Sequence, residues 1–373
     1  MICLGTASVE DLIALCPKGV ETWEMHDMSH EQQRVKVGLI GCGNIGAGGH
    51  LPAYAHIPEA ELVSVCDAIE DLAQSAAERS GAMAYSDYRQ LLEREDINMV
   101  DVCVPTYRHS SVVIAALEAG KNVLCEKPIA HSLEAADAMI EAAEKTGAKL
   151  MIGQVRRFDH RYASIKSQID AGKVGRPVFI RRAERQFLPF PPDAWQWDPK
   201  RGGGVILDIG IHATDLFRWL FGEDAVTVYA IARSVRKAAR EAGSYDHALI
   251  TYKFKGGGIG FAEASWAYPQ GFGGALYAQL DVVGTECKIQ YSDKDTNPML
   301  TYSSEKGHEL PRYFRFMSTT EYAFEEEIRH FVRCILDNQE PAISPQAARA
   351  ALEMALAAQR SAETGEPVRL SGA

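Results

Sequence analysis

Short apolar runs alternate with amphipathic segments along the chain from Val35 onward. Four runs have the length and composition of buried strands: VKVGLI, ELVSVCD, MVDVCVP and NVLCEKP. The amphipathic segments between them start at about Asn44, after Asp67 and after His109. Because parallel strands need long crossover connections, this alternation predicts an α/β domain with a parallel sheet over residues 34–153.

The pattern changes after residue 153, where the apolar residues fall in longer alternating runs. These runs cover residues 176–187, 247–268 and 275–292. Turns at Gly256–Gly258 and at Gly284 divide the last two into pieces of strand length. Alternation of this kind is typical of antiparallel strands. A second, α+β domain with an open, mostly antiparallel sheet is therefore predicted over residues 154–373.

Two helices of this second half can be placed from periodicity and capping signals. Apolar side chains at helical spacing predict one helix over residues 205–221. The last helix begins with Ser344 as its N-cap and Pro345 at the first helical position, and it runs to about Glu363. We expect the closing helices to pack back on the first domain.

The predicted helix over residues 205–221 carries a polar stripe formed by Asp208, His212 and Asp215. The apolar stripe beside it contains Ile209, Ala213, Leu216, Phe217 and Leu220. Asp208 and His212 are four residues apart and would share a helix face. Such a pair is more often solvated or mutually satisfied than reactive, so its meaning depends on the rest of the chain.

Composition narrows the class of partner. The chain of 373 residues is 46% hydrophobic and 24% charged, and its length favours two globular domains. The net charge of −11 argues against nucleic acid and against an anionic membrane surface, and favours a small-molecule partner. The 8 cysteines show no zinc spacing, so no metal site is predicted. Four of them fall at apolar runs and are expected to be buried thiols of a cytoplasmic protein: Cys42, Cys66, Cys103 and Cys125.

The segment before the first apolar run does not show a basic stretch followed by an apolar core, and none of its apolar runs reaches transmembrane length. Glu10 and Asp11 interrupt its only apolar stretch. We therefore expect residues 1–33 to be an N-terminal appendage, with Met28 as a second possible start.

The sequence GCGNIG at residues 41–46 lies directly between a predicted strand and a predicted helix. Its glycines permit a tight turn, close approach of a pyrophosphate to the backbone, and close helix packing. A lone match is more often a simple glycine turn. Here Asp67 ends the next strand, 67 − 46 = 21 residues after the last glycine, where an acid binds the ribose hydroxyls. Since Asp67 would repel a 2′-phosphate and Ala68 follows it, NAD is favoured over NADP.

Lys127 lies at the carboxyl end of the strand NVLCE, where open parallel sheets bind ligands. Most lysines are surface residues. Pro128, however, restricts the backbone of Lys127 to an extended conformation, and this would limit the direction of its side chain. The previous strand ends in the same region with Pro105, Thr106 and His109. His109 is interpreted as lining for the cofactor at most, because a lone histidine at a helix start is more often structural.

Five motifs together resemble the glucose-fructose oxidoreductase and inositol dehydrogenase family, Gfo/Idh/MocA. They are GCGNIG, the strand-ending Asp67, EKP at 126–128, RRF at 156–158 and GGGVILDIGIH at 202–212. The resemblance runs from Val35 to Leu370. It implies an N-terminal Rossmann domain, a C-terminal domain for substrate binding and oligomerisation through its sheet, and a nicotinamide cofactor between them.

The resemblance also implies roles for individual residues. Lys127, Asp208 and His212 would be catalytic and would contact substrate together with Arg156. Independently of the resemblance, the glycine loop, the strand-ending acid and the strand ends predict the cofactor contacts: Gly41, Gly43, Asn44, Ile45, Gly46, Asp67, Pro105, Thr106, His109, Glu126 and Lys127. Chemistry favours His212 as the base for a hydroxyl proton, Lys127 as the charge partner of that oxygen, and Asp208 as the group that orients substrate or imidazole.

The sequence favours an NAD-dependent oxidoreductase acting on a secondary hydroxyl of a cyclic polyol or sugar. Two alternatives remain: a glycosidase or epimerase with no net redox change, and a sugar- or cofactor-sensing regulator. A homodimer or homotetramer is expected, because apolar residues lie on both sides of the strand around Val282 and Val283. Five aromatic residues could contact a sugar face but more often pack a core: Trp195, Trp197, Tyr245, Trp266 and Tyr268.

Overall fold

The structure is a computed structural model that describes residues 34–187, 190–269, 276–292, 299–303, 307–309 and 319–370. The predicted appendage over residues 1–33, including Met28, lies outside the described residues, as does Ala275 at the start of the predicted run 275–292.

Six parallel strands form the first sheet, in the order β3-β2-β1-β4-β5-β6. The strands are β1 Val35–Ile40, β2 Ala60–Cys66, β3 Met83–Tyr85, β4 Met99–Val102, β5 Asn122–Glu126 and β6 Leu150–Gly153. The helices between and after them are α1 Leu51–Tyr54, α2 Glu70–Ser80, α3 Tyr88–Leu92, α4 His109–Glu118, α5 Leu133–Thr146 and α6 His160–Asp170. Every residue of β4 and β6 is buried, as expected of parallel strands covered on both faces.

Nine strands form the second sheet, in the order β14-β13-β12-β11-β7-β10-β9-β8-β15. They are β7 Pro177–Gln186, β8 Ala225–Arg233, β9 His247–Phe254, β10 Ile259–Ser265, β11 Leu276–Gly284, β12 Cys287–Ser292, β13 Met299–Ser303, β14 Gly307–Glu309 and β15 Val368–Arg369. Only the β7–β10 pair is parallel among these described strands. The predicted combination of a Rossmann sheet with a mostly antiparallel second sheet is confirmed.

The helix predicted over residues 205–221 is interrupted, which corrects that prediction. α7 spans Gly204–Asp208, α8 spans Gly210–Phe221, and Ile209 lies between them. The main-chain N–H of His212 donates to the carbonyl oxygen of Ile209, only three residues back. Glycine at position 210 has low helix propensity, and this favours the interruption. Asp208 and His212 therefore belong to two consecutive helices, not to one helix face.

Three further helices complete the described chain: α9 Lys237–Ala242, α10 Thr319–Leu336 and α11 Pro345–Thr364. α11 starts as predicted, with the Ser344 hydroxyl accepting a hydrogen bond from the N–H of Ala347. Its alanine-rich face packs against β8, α8 and α5, whereas α10 packs against β1, β5 and α1. α11 thus contacts elements of both sheets, whereas α10 packs on the first. No described helix combines the length and the apolar character that crossing a bilayer requires.

Candidate active site

The carboxyl ends of β1, β4, β5 and β6 lie at one edge of the parallel sheet, and a predicted site segment follows each of them. The glycine loop follows β1, Pro105–Thr106 follow β4, Lys127 follows β5 and Arg156 follows β6. β1 and β4 are neighbours in the sheet although they are distant in sequence. The loops after such a pair diverge and open a crevice, which is where doubly wound sheets bind ligands.

The glycine loop has the geometry that a pyrophosphate requires. Gly41 has a φ of +100°, and a Cβ atom there would lie 2.5 Å from the carbonyl carbon of Cys103. A Cβ atom on Gly46 would lie 1.9 Å from the carbonyl oxygen of Gly41. By contrast, no atom lies within 4 Å of the position of a Cβ on Gly43, and Asn44 and Ile45 are exposed. The loop therefore keeps an open side, next to the free N–H groups of the following helix.

Asp67 is held beside this loop by its own hydrogen bonds. Its Oδ2 accepts a hydrogen bond of 2.8 Å from the main-chain N–H of Cys42, and its Oδ1 accepts one of 2.9 Å from Ile69. A carboxylate has lone pairs to spare after two such bonds. Asp67 can therefore still accept from the hydroxyls of a ribose, and its charge would repel a 2′-phosphate. The loop and Asp67 fit NAD.

His109 and Glu126 are turned into the protein, away from the open side of the loop. The two ring nitrogens of His109 lie 2.9 Å from the carbonyl oxygens of Pro128 and Val104, so the ring braces the ends of β4 and β5. Burial lowers the pKa of His109. The carboxylate of Glu126 is also buried, so a cofactor could reach only its backbone. Cofactor contacts of His109 and Glu126 stay predictions.

Lys127 and Asp208 form an ion pair across the site. Lys127 Nζ lies 2.7 Å from Asp208 Oδ1 and also donates to the main-chain oxygen of Asp208 at 3.0 Å. Burial works against the charge, but the Asp208 carboxylate outweighs it and holds the pKa of Lys127 above its ordinary value. The peptide bond from Lys127 to Pro128 is cis. The predicted role of Asp208 in orienting the imidazole is not seen, because its carboxylate bonds to Lys127 and not to His212.

His212 is nearly enclosed, with 7% of its surface exposed. Burial, and then the positive charge of Lys127, hold its pKa well below the ordinary value. Its ring is therefore neutral at neutral pH. Nδ1 has no hydrogen-bond partner in the part of the chain that the structure describes. A neutral imidazole with a free nitrogen can accept a proton.

Arg156 is bound to Glu184, a residue that the sequence analysis missed. Arg156 Nη2 donates to Glu184 Oε1 at 3.1 Å, and Arg182 pairs with the other oxygen of Glu184 while donating to the Tyr162 hydroxyl at 2.6 Å. Burial opposes the charge of Glu184, but Arg182 and Arg156 hold its pKa well below the ordinary value. The charge of Glu184 also acts on His212. The predicted contact of Arg156 with substrate therefore requires the part of the guanidinium that Glu184 does not occupy.

Comparison with known proteins agrees with this geometry. Residues 35–154 match the family described as "Oxidoreductase family, NAD-binding Rossmann fold", and residues 162–290 match the GFO/IDH/MocA C-terminal domain. Myo-inositol 2-dehydrogenase of Thermotoga maritima is 30% identical over 339 residues, which cover 90% of this chain and 98% of that relative. The chain belongs to the GFO/IDH/MocA family. It is an NAD-dependent oxidoreductase.

Two further similarities extend over most of this GFO/IDH/MocA oxidoreductase. A scyllo-inositol 2-dehydrogenase (NAD(+)) of Bacillus subtilis is 31% identical over 91% of this chain and 97% of its own length. The crystal structure of an oxidoreductase domain protein from Kribbella flavida superposes with a TM-score of 0.81, at 26% identity, over 91% of this chain and 99% of that one.

Two of the candidate aromatic residues pack the core of the oxidoreductase. Trp197 and Trp266 are buried, and their rings meet edge to face with centroids 5.3 Å apart. Tyr268 donates its hydroxyl proton to Glu263. We therefore do not assign Trp197 or Trp266 to the face of a sugar.

A cluster of buried ionisable groups lies on the inner side of Lys127, and the sequence analysis missed it as well. It joins His50, Asp101, Glu126 and Glu327. Imidazole and carboxylate are metal ligands, so these groups could hold a divalent cation. The ring nitrogens of His50, however, already lie 2.8 Å from Asp101 and 3.2 Å from Glu126. The signal in the sequence was Asp101, a charged residue inside the apolar run MVDVCV.

The position of Asp67 predicts how cofactor preference can be changed. We expect the double substitution Asp67→Ser and Ala68→Arg to lower the preference for NAD over NADP by at least about tenfold, because a repulsive carboxylate is replaced by a partner for the 2′-phosphate. The ratio of kcat/KM for the two cofactors measures this, with Asp71→Ser on α2 as the control. Equal use of both cofactors by the unmodified protein would contradict the role of Asp67.

Proposed function

We propose that the protein oxidises a secondary ring hydroxyl of a cyclic polyol of the inositol class, with NAD as the hydride acceptor. The observation that carries the proposal is the convergence of a charged lysine, Lys127, and a neutral histidine, His212, beside a loop that fits the cofactor. In alcohol oxidation the hydroxyl loses a proton while its carbon loses a hydride. A neutral histidine can accept that proton, and a charged lysine can stabilise the negative charge that develops on the oxygen.

His212 is the proposed general base. Its pKa is held low by burial and by Lys127, so the ring is ready to accept the hydroxyl proton at neutral pH. The carboxylate of Glu184, which raises the pKa of His212, then stabilises the imidazolium that forms. NAD, when bound, supplies the acceptor for the hydride.

Lys127 is the proposed charge partner of the reacting oxygen. Its ammonium group has three donor protons, and two of them are directed to the side chain and the main chain of Asp208. The third can point at a substrate hydroxyl and stabilise the negative charge that develops on it. Asp208 keeps Lys127 charged and fixes its direction.

The choice of a cyclic polyol rests on the relatives and on the polarity of the site. The relatives from Thermotoga maritima and Bacillus subtilis are named for myo-inositol and scyllo-inositol. Around His212, the site offers charged donors and acceptors from Lys127, Asp208, Arg156 and Glu184. A ring with a hydroxyl on every carbon can satisfy several of these groups at once.

The function is tested by the formation of NADH from inositols. We expect the protein to reduce NAD with myo-inositol or scyllo-inositol, and Lys127→Met to lower kcat by about a hundredfold while the Kd of NAD changes less than about threefold. Lys145→Met, which alters an exposed lysine of α5, is the matched control. Cleavage or epimerisation of a sugar without release of NADH would contradict net oxidation, and wild-type turnover of Lys127→Met would contradict the role of Lys127.

The protonation state of His212 predicts the pH dependence of oxidation. Because its pKa is lowered, kcat should stay constant from alkaline to neutral pH and fall only as the pH drops below the ordinary imidazole value of 6.5. His212→Ala should remove this acidic limb and lower kcat by about a hundredfold or more, with NAD still bound. A stable His212→Ala protein with wild-type turnover would disprove the assignment.

We propose further that the outer face of the second sheet forms a homodimer or homotetramer. Exposed apolar side chains lie on this face at Tyr229, Ile231, Leu249 and Ile259, and Ile231 is the registered neighbour of Leu249. On the opposite face, α8 and α11 cover β8 and β10. Apolar neighbours left exposed on one face are typical of an interface. Val282 is buried within the subunit and Val283 is half-buried, so the strip on β8 and β9 is the stronger support.

Light scattering tests this interface. We expect an oligomer at micromolar concentration, and Ile231→Glu should dissociate it because the carboxylate would lose its water in the interface. Met83→Glu changes an equally exposed apolar residue on β3 and should leave the mass unchanged. A monomeric unmodified protein would refute the proposal. The cytoplasmic location stays a prediction; the six described cysteines form no disulfide with one another.

A further inference from the structure

Glu327 is an acid that α10 buries completely beneath the active site. Its side chain has 0% exposure, and neither of its carboxylate oxygens has a hydrogen-bond partner in the described part of the chain. Leaving such a group unpaired in the interior is costly. Phe324, one turn earlier on α10, packs its ring on His50 with centroids 4.9 Å apart, so this face of the helix is fixed. Glu327 is thus aimed at a defined place.

Glu327 points at the buried group described above, which we call the His50 cluster: His50, Asp101 and Glu126, with Glu327 itself. A ring nitrogen of His50 and one carboxylate oxygen each of Glu126 and Glu327 lie within 4.8 Å of one another. His50 lies between Asp101, at 2.8 Å, and Glu126, at 3.2 Å. The Tyr54 hydroxyl also donates to Asp101, at 2.7 Å.

Glu126 connects this cluster to the active site. Its Oε1 lies against His50, whereas its Oε2 accepts a hydrogen bond of 3.0 Å from the main-chain N–H of Lys127. The orientation of the Glu126 carboxylate therefore fixes the peptide from which the Lys127 side chain starts. A change in the hydrogen bonds of the cluster can therefore alter the position of Lys127 through Glu126 alone.

The charges of the cluster determine which group is neutral. Burial disfavours the charge of His50, but Asp101 outweighs burial and holds its pKa well above the ordinary value. Burial, and then Glu126, raise the pKa of Glu327 well above its ordinary value. The charged groups that act on Glu327 are His50 from the helical turn Gly46–His50 before α1, Asp101 from β4, Glu126 from β5 and Asp215 from α8. With three carboxylates and one imidazolium around it, the protonated, neutral form of Glu327 is favoured.

We propose that Glu327 is a positioning residue whose neutral carboxyl group donates a hydrogen bond to Glu126 and so holds the Glu126 carboxylate on the N–H of Lys127. The two carboxyl groups already lie within 4.8 Å of one another, and Glu327 has no other hydrogen-bond partner among the described residues. The expected effect of Glu327 on kcat rests on the role of Lys127 in the proposed function. The expected effect of Glu327 on the main-chain N–H of Lys127 does not depend on that function.

Two substitutions separate the hydrogen bond from simple packing. Glu327→Gln keeps a neutral donor of the same shape, whereas Glu327→Leu keeps the volume and removes the donor. Glu326→Gln, on the solvent side of the same helix where Glu326 pairs with Arg329, is the matched control. Hydrogen–deuterium exchange of the full-length protein, read on the peptide that contains Lys127, is the first measurement.

We expect exchange at Lys127 to be about tenfold faster in Glu327→Leu than in the wild type, and unchanged in Glu327→Gln and Glu326→Gln. With myo-inositol and NAD, kcat of Glu327→Leu should fall on the order of tenfold to a hundredfold while the Kd of NAD changes less than about threefold. Exchange in Glu327→Leu that equals the wild type would overturn the inference. Equal increases in exchange in Glu327→Gln and Glu327→Leu would also overturn it. Because exchange needs no substrate, failure of the proposed function would leave this result readable.

The thermal stability of Glu327→Gln decides the question even if Glu327→Leu does not fold. An acid whose pKa is raised on folding stabilises the fold below its unfolded value, ordinarily 4.5, and this contribution is lost as the pH rises through the folded value. Glutamine does not titrate. The Tm of Glu327→Gln relative to the wild type should therefore increase as the pH is raised from 5 to 9. A constant difference would mean that Glu327 is ionised throughout, and the proposal would be wrong.

Discussion

The ion pair between Lys127 and Asp208 joins the end of β5 to the end of α7, and the electrostatics of the site depend on it. Removing a lysine from water favours its neutral form, and Asp208 reverses that tendency. The charge that remains on Lys127 in turn helps keep His212 neutral. One contact thus keeps Lys127 charged and adds to the effect of burial on His212. An acid and a base can then coexist in a small volume at neutral pH.

The buried ions around the site are arranged in triads, in which one charged group lies between two groups of opposite charge. Glu184 lies between Arg156 and Arg182, and His50 lies between Asp101 and Glu126. Burying such groups gains little stability, because desolvation offsets much of the attraction. What the arrangement provides is direction, since each partner restricts the orientation of the next. The reactive side chains are therefore held by charges that do not react.

The fold could be predicted well from sequence because its signals are local. The strand, the glycine loop and Asp67 lie within one short stretch of chain, and the loop of Gly41 needs no distant partner to be identified. The interruption at Ile209 was missed because the apolar periodicity continues through it. Glu184 and Glu327 were missed for a different reason. Each lies in a stretch whose pattern predicts an ordinary strand or helix. Their neighbours in the structure are distant in sequence: Arg156 for Glu184, and His50 for Glu327.

The first helix shows how a local irregularity serves this distant contact. Residues Gly46–His50, directly before α1, form a π-helical segment, in which hydrogen bonds join residues five positions apart and not four as in an α-helix. The wider turn shifts the direction of the residues that follow, and His50 at its end points to Asp101 and Glu126. A Cβ atom on Gly49 would lie 2.9 Å from the ring of Phe324, so glycine at this position lets α10 approach. The segment that begins as the cofactor loop thus ends as a contact for the closing helix, and it links the loop, the Lys127 peptide and α10 within one buried network.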